Sequence, residues 1–384
     1  MALNASGQIS LGGSTSGQSI NLELNQLAAA TITMNDTNVR TLGDAASGAI
    51  SLNMFYGKAY ALDYAFLNYL AQSGNSEIGG NIKITYSTDV VSAAPAPVQQ
   101  YSRGAYQWQT TNMFLVQGGL DWYGTSAMNT KTSELWGINY ATQTAINPAN
   151  PVWAYAFGMC LNDNTSGYAV GGASAILGST DVIQKMTFSS YTYASIGNWP
   201  VTGDWYDQQG EAQTSTTGYR LFSGLSPFTR RKIVFATNTI SAVSNAASAE
   251  YSISVFQNKT TSYYYGAVSP GNSVSTGNAT GRTWVFSTET YGTFASSFQS
   301  SYYQGNGTGN VYGTWNSGKH RGASNNIKSY HNGDTPTNSL ANYFGKFTFA
   351  STTRIGNLTA FGTLNNTFAS FKEWGGAGQL NTFI

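Results

Sequence analysis

His320 and His331 are the only imidazoles of the chain, eleven residues apart with Asp334 nearby. Histidine and carboxylate can ligate a metal, but the segment offers no other strong ligand and the interval matches no zinc pattern. A solvated basic segment, with Lys319, Arg321 and Lys328 alongside, accounts for the same residues. Asp204, Asp207 and Glu211 cluster, and paired carboxylates near a cleft are what acid–base cleavage of a glycoside requires. A solvated turn satisfies them equally. With both histidines in one segment, no Ser–His–Asp order is convincing. Cys160 stands alone in an apolar run, as a buried inert thiol does. The expectation is a protein with no catalytic, metal or cofactor site, and not an enzyme.

Binding chemistry is better supplied. Tyr and Trp stack on sugar rings, and Asn, Gln and Thr provide hydrogen bonds around them. Tyr263, Tyr264, Tyr265, Tyr302, Tyr303, Tyr312 and Trp315 crowd into one stretch, although most such rings are expected to be core. The segment 316–342 reads as the longest insert. Its basic and titratable residues Lys319, His320, Arg321, Lys328 and His331, flanked by Tyr312, Trp315 and Tyr343, form the candidate contact set for an anionic glycan.

Charged residues make up 9% of the 384, net charge is +1, aromatics reach 14% and glycines number 43. Such a chain is neither a disordered tail nor an electrostatic nucleic-acid binder. No run of eighteen apolar residues suggests membrane insertion, and Met1 is followed by neither a basic nor an apolar leader region, so assembly in a cytosol is expected.

These residues must be carried by repeated strands. Ile84/Tyr86, Ile138/Tyr140, Met186/Phe188, Ile233/Phe235, Trp284/Phe286 and Phe347/Phe349 repeat one pattern, an apolar residue two before an aromatic ring. The rings lie 54, 48, 47, 51 and 63 residues apart, the period of a kelch-type blade. We expect an all-β fold: a six-bladed kelch-like β-propeller over residues 61–384, each unit four strands. In this reading the anchor strand is second in its unit. LNYLAQSG (67–74), MFLVQGG (113–119), GYAVGG (167–172), GYRLFSG (218–224), SYYYGAV (262–268) and VYGTWNSG (311–318) come first and line the centre. GAYQW (104–108), WAYAFGM (153–159), WYDQQGEA (205–212), YSISVF (251–256), SYYQG (301–305) and FASFKEW (368–374) come fourth. All blades are then complete in chain order, with QLNTFI (379–384) the alternative clasp on the first.

Residues 1–60 differ. SGQISL (6–11) returns as SGAISL (47–52), two short strands framing a polar, partly helical middle. SGQISLGGSTSGQSINLEL, ATITMNDTNVRTL and SGAISLNMFYGK, over about 58 residues, resemble the N-terminal segment of many tail and fibre proteins of tailed bacteriophages. The GGSTSGQS stretch is longer than that pattern. The resemblance implies a structural protein of the virion tail, assembled in the host cytoplasm. Residues 1–60 would dock to other tail or baseplate proteins, and the remainder would project to a host cell-surface glycan. A homo-oligomer fits this setting, but no heptad seam enforces a trimer. A glycan-degrading enzyme on the same scaffold and a purely architectural tail or head decoration protein are the alternatives.

Overall fold

The computed structural model describes most of residues 3–56 and, from 64 to 376, the strands with their tight turns. Outside the described residues lie 57–63, 95–105, 149–158, 200–210, 221–229, 244–253, 266–279, 296–322, 333–343, 356–369, 377–384 and shorter stretches of one to three residues.

The N-terminal residues build a core of their own. Helix α1 (Ile20–Glu23) starts where the Ser19 hydroxyl accepts the Leu22 N–H at 3.3 Å, and α2 (Thr37–Leu42) follows. Leu3, Ile9, Ile20, Leu24, Val39, Leu42 and Phe55 bury together, Phe55 arriving on a 3-10 turn at Leu52–Phe55. Arg40 donates to the carbonyls of Ala45 and Gly48 and to Asn35 Oδ1, at 2.9–3.1 Å, tying both sides of α2. The two strands expected at 6–11 and 47–52 do not form: the first holds only an isolated bridge from Ser10 to Ser19. What the Ser-Gly echo repeats is a turn. Gly7 and Gly48 have φ of +97° and +85°, and the isoleucine two residues on, Ile9 or Ile50, enters the core.

Beyond residue 63 the described residues form β-structure: six four-stranded antiparallel sheets and one two-stranded ribbon, with their turns. Strands are numbered along the chain. The first sheet holds β1 (Tyr64–Ser73), β2 (Ser76–Thr85) and β3 (Val90–Ala93), completed on the β1 side by β26 (Ser370–Gly376). The second is β4 (Tyr106–Gln109), β5 (Met113–Gln117), β8 (Leu135–Asn139) and β9 (Ala145–Ile146); β6 (Leu120–Tyr123) and β7 (Ala127–Lys131) prolong its central hairpin as the ribbon. The third is β10 (Met159–Asn162), β11 (Ser166–Ser174), β12 (Gly178–Thr187) and β13 (Thr192–Asn198). The fourth is β14 (Glu211–Gln213), β15 (Thr217–Arg220), β16 (Arg231–Val234) and β17 (Thr239–Ala242). The fifth is β18 (Ser254–Gln257), β19 (Thr261–Tyr265), β20 (Thr280–Val285) and β21 (Thr290–Ala295). The sixth is β22 (Ala323–Ser324), β23 (Lys328–Asn332), β24 (Phe344–Thr348) and β25 (Thr353–Ile355).

This arrangement moves the expected units by one strand. GAYQW does not close a first unit; Tyr106–Gln109 pairs with Met113–Gln117 and opens the second sheet. The same holds for β10, β14 and β18, so the anchor strand is third in its sheet. The reason is the short turn after each of these strands: a hairpin of two residues leaves no route to any partner but the next strand. The strands that approach one another across sheets are β4, β10, β14, β18 and β22, with β22 lying against β1. FASFKEW likewise does not finish the last unit. Ser370–Gly376 pairs with β1, Leu67 opposite Gly376, and supplies the first sheet's missing strand. The clasp is therefore residues 370–376; 379–384 lie outside the described residues.

Between sheets the anchor rings explain their own period. Four of them pack on a second-strand ring of the preceding sheet: Tyr140 stacks on Phe66 at 5.6 Å, Phe235 on Tyr168 at 4.8 Å and Phe286 on Tyr219 at 5.7 Å, and Phe349 lies tilted against Tyr263 at 5.2 Å. Phe188 joins Leu115 in the same way. The alternation is visible in β16, where Ile233 joins a cluster with the third sheet while Lys232 reaches the fifth. Close approach is secured at Gly167 and Gly218, where a Cβ would meet the Trp108 indole at 2.9 Å and Leu161 at 2.4 Å.

Candidate recognition surface

Strand direction sorts the connections. In each of the second to sixth sheets the first strand runs to a tight turn, the second returns, the third runs back to another tight turn, and the fourth returns. One end of each of these five sheets thus carries only short turns, and the longer joining segments leave from the other.

The turn end is specified in detail. Thr110 Oγ1, Asp163 Oδ1, Thr214 Oγ1 and Asn258 Oδ1 each accept the N–H of the residue three on, at 2.7–3.0 Å, closing the first turn. Four-residue loops close the second, and the residue three after each anchor ring is left-handed: Asp89, Gln143, Tyr191, Asn238, Glu289 and Thr352, φ 49–58°. These residues also reach the preceding sheet. Lys83 donates to Gln143 at 3.1 Å and Lys185 to Asn238 at 3.5 Å; Lys232 pairs with Glu289 and Lys346 with Asp89, both at 2.5 Å. The Tyr191 hydroxyl meets Met113 Sδ at 3.3 Å. The Lys346–Asp89 pair joins the sixth sheet to the first.

Amide side chains link the first strands at the same end. Asn162 Nδ2 donates to the Gln109 carbonyl, the Asn162 N–H donates to Gln213 Oε1, and the Gln213 N–H donates to Gln257 Oε1, at 2.8–3.1 Å. Gln257 Nε2 returns to the Gln213 carbonyl at 2.6 Å. All four residues are buried. The outward-facing residues of these turns are uncharged: Thr88, Thr142, Gln143, Ser189, Ser190, Thr237, Ser287 and Thr288 are exposed, while the lysines and acids are half-buried in pairs.

Burial dominates the electrostatics. It raises the Tyr168 and Tyr219 phenols well above their usual range, with the nearby carboxylates of Asp163 and Glu289 adding to the effect. Burial alone does the same at Tyr193. The exposed Asp36 carboxyl is lowered by the Thr33 N–H and hydroxyl that it accepts.

Of the candidate contact residues, Lys328 and His331 lie on β23, opposite Thr348 and Gly345. The 316–342 stretch is therefore not one insert, since β22 and β23 run through it. Its apolar content misled because β23 alternates Ser, Tyr and His and no aliphatic run marks it. Tyr312, Trp315, Lys319, His320, Arg321 and Tyr343 lie outside the described residues, as do Asp204 and Asp207. Glu211 stands on β14 opposite Arg220. Cys160 is buried and accepts the Gln107 N–H at 3.3 Å. Among the described residues no three of His, Cys, Asp and Glu come together as metal ligands, and no helix is long and apolar enough to cross a membrane. The inter-sheet pairs were missed from sequence, although a lysine three before four of the six rings and a hydrogen-bonding residue three after each were there to be read. Compared with protein-family models and with curated proteins, the chain matches none.

Proposed function

We propose that the protein is a structural component of a bacteriophage tail, of the tail-fibre or baseplate-associated kind. Residues 1–60 attach it to neighbouring tail or baseplate proteins, and residues 61–384 form a six-bladed, kelch-like β-propeller that meets a host-surface glycan. The observation that carries the propeller is the run of contacts from each sheet to the next, completed by Lys346–Asp89 and by β26 in the first sheet. The separate core of residues 3–55 supports a distinct attachment module, as does the resemblance of that segment to phage tail proteins. The contrast between the two ends supports recognition at the one that carries the long joining segments: a rigid scaffold with variable connections is the usual arrangement of a binding surface. The activity is binding, without hydrolysis, and the site of assembly is the host cytoplasm.

Two variants in a phage background test this. Removing residues 1–56 should abolish incorporation into particles while the soluble remainder still competes for adsorption. Replacing 266–279 with a short Gly-Ser linker, which leaves β19 and β20 intact, should reduce adsorption and leave assembly unchanged. Normal occupancy of the first variant, or new reducing ends released from host polysaccharide by the intact protein, would overturn the reading.

A further inference from the structure

Tyr64 opens β1, and its register partner is Thr85, the residue before the anchor ring Tyr86. The turn after that ring carries Asp89, which pairs with Lys346 at the turn end of the sixth sheet. Tyr64 therefore stands at the turn end of the first sheet. Its placement is firm: the hydroxyl donates to the Tyr140 carbonyl at 2.7 Å, the ring meets Phe66 and Tyr140 edge-on at 5.6 and 5.9 Å, and the Lys83 ammonium lies 4.1 Å over it. The chain arriving from residues 1–56 thus enters the β-structure on the side of the short turns, opposite to the end that carries the long joining segments.

The other side of this connection is fixed as well. Phe55 is buried in the N-terminal core, and the Tyr56 hydroxyl donates to the Gly7 carbonyl at 2.6 Å. Residues 57–63 lie between, so Tyr56 and Tyr64 are separated by eight Cα steps, about 29 Å at full stretch. The ten residues of β1 cover about 30 Å. A tether pulled straight would at best bring Tyr56 level with the far end of β1. Nor does β1 offer it an open path, since β2 and β26 pair on either side and Ala65 and Phe66 are buried. The turn face also suits a close neighbour. Thr88, Thr142, Ser189, Thr237 and Thr288 are exposed there, hydroxyls that both donate and accept, while Lys232–Glu289 and Lys346–Asp89 neutralise one another.

We infer that residues 3–56 sit over the turn face, and that this face is the one turned toward the tail, the connection-bearing end pointing away. The position stands on the tether; its relation to a tail rests on the reading above. Nitroxide labels on the full-length protein test the position, with Thr31→Cys in the N-terminal core paired with Ser189→Cys or Asn198→Cys. All three residues are exposed, the native Cys160 is buried, and Asn198 lies at the far end of β13 from the Ser189 turn. Pulsed electron double resonance should give a mean distance to Ser189 shorter than that to Asn198 by roughly 10 Å or more, a large part of the length of β13. Equal distances, or a shorter one to Asn198, would overturn the placement. In assembled particles, streptavidin should reach biotin coupled at Asn198→Cys and not at Ser189→Cys. Access to both would keep the placement and overturn the tail-facing assignment. Normal incorporation after removal of residues 1–56 would instead overturn the attachment reading and leave the measured distances standing.

Discussion

A left-handed backbone three residues after each anchor ring would be least costly as glycine, yet the chain places Asp, Gln, Tyr, Asn, Glu and Thr there. In most of these positions the side chain compensates by reaching the preceding sheet. Thr352 is the exception: it is β-branched, and its hydroxyl donates only to the adjacent Ser351 carbonyl. Thr352→Gly should therefore stabilise the protein by about 0.5–1 kcal/mol, relief of the left-handed strain exceeding the added chain entropy. Asn238→Gly should go the other way by a similar amount, because the Asn238 amide accepts from both Lys185 and Tyr168. Urea unfolding of the two variants checks the signs. A common sign would show that backbone conformation alone governs these turns.

At the scale of elements, each ring pair between sheets includes a phenol held neutral by burial, and Tyr193, bonded to Gln117, is another. Tyr140, Tyr168, Tyr193, Tyr219 and Tyr263 are all raised above the ordinary tyrosine range. A group whose folded-state value is raised favours the folded state fully below its unfolded value, near pH 10, and that contribution is lost as pH climbs further. Stability should thus hold on the alkaline side until about pH 10 and then fall steeply. The Tyr168→Phe variant should fall less steeply there. Thermal melts from pH 8 to 12 with tyrosinate absorbance measure both. The strand content and the ring period were legible because Ile233/Phe235 and its five equivalents alternate strongly. The order of strands within a sheet was not. That order depends on the two-residue turns after Gln109, Asn162, Gln213 and Gln257, whose Thr, Asp and Asn caps resemble the surrounding polar background.

For the whole molecule, the Lys346–Asp89 pair and the β26–β1 pairing tie the sixth sheet and the last described strand to the first sheet. Lys346 and Asp89 are 16% and 27% exposed, so a double-mutant cycle with Lys346→Met and Asp89→Asn should give a coupling of about 0.5–1 kcal/mol. Zero coupling would leave β26 and the approach of β22 to β1 as the fastenings among the described residues. Ending the chain at residue 369 removes β26 and uncovers the edge of β1 from Leu67 to Gln72. Such an edge pairs with other chains. The truncated protein should elute as larger species in size-exclusion chromatography, while a variant ending at 376 should resemble the parent.

The pairing of β26 with β1 also sets a clock on synthesis. Tyr64 leaves the ribosome some 306 residues before Ser370. At about 5–20 residues per second, that leaves the β1 edge without its partner for roughly 15–60 s. Throughout that interval the nascent first sheet is a three-stranded template beside five sheets forming in turn, several ribosomes to a message. Newly made neighbours are then the nearest source of a stray strand. Slower translation of the later sheets would lengthen that exposure without altering a single native contact, so yield of soluble protein should follow elongation rate more closely than it follows equilibrium stability.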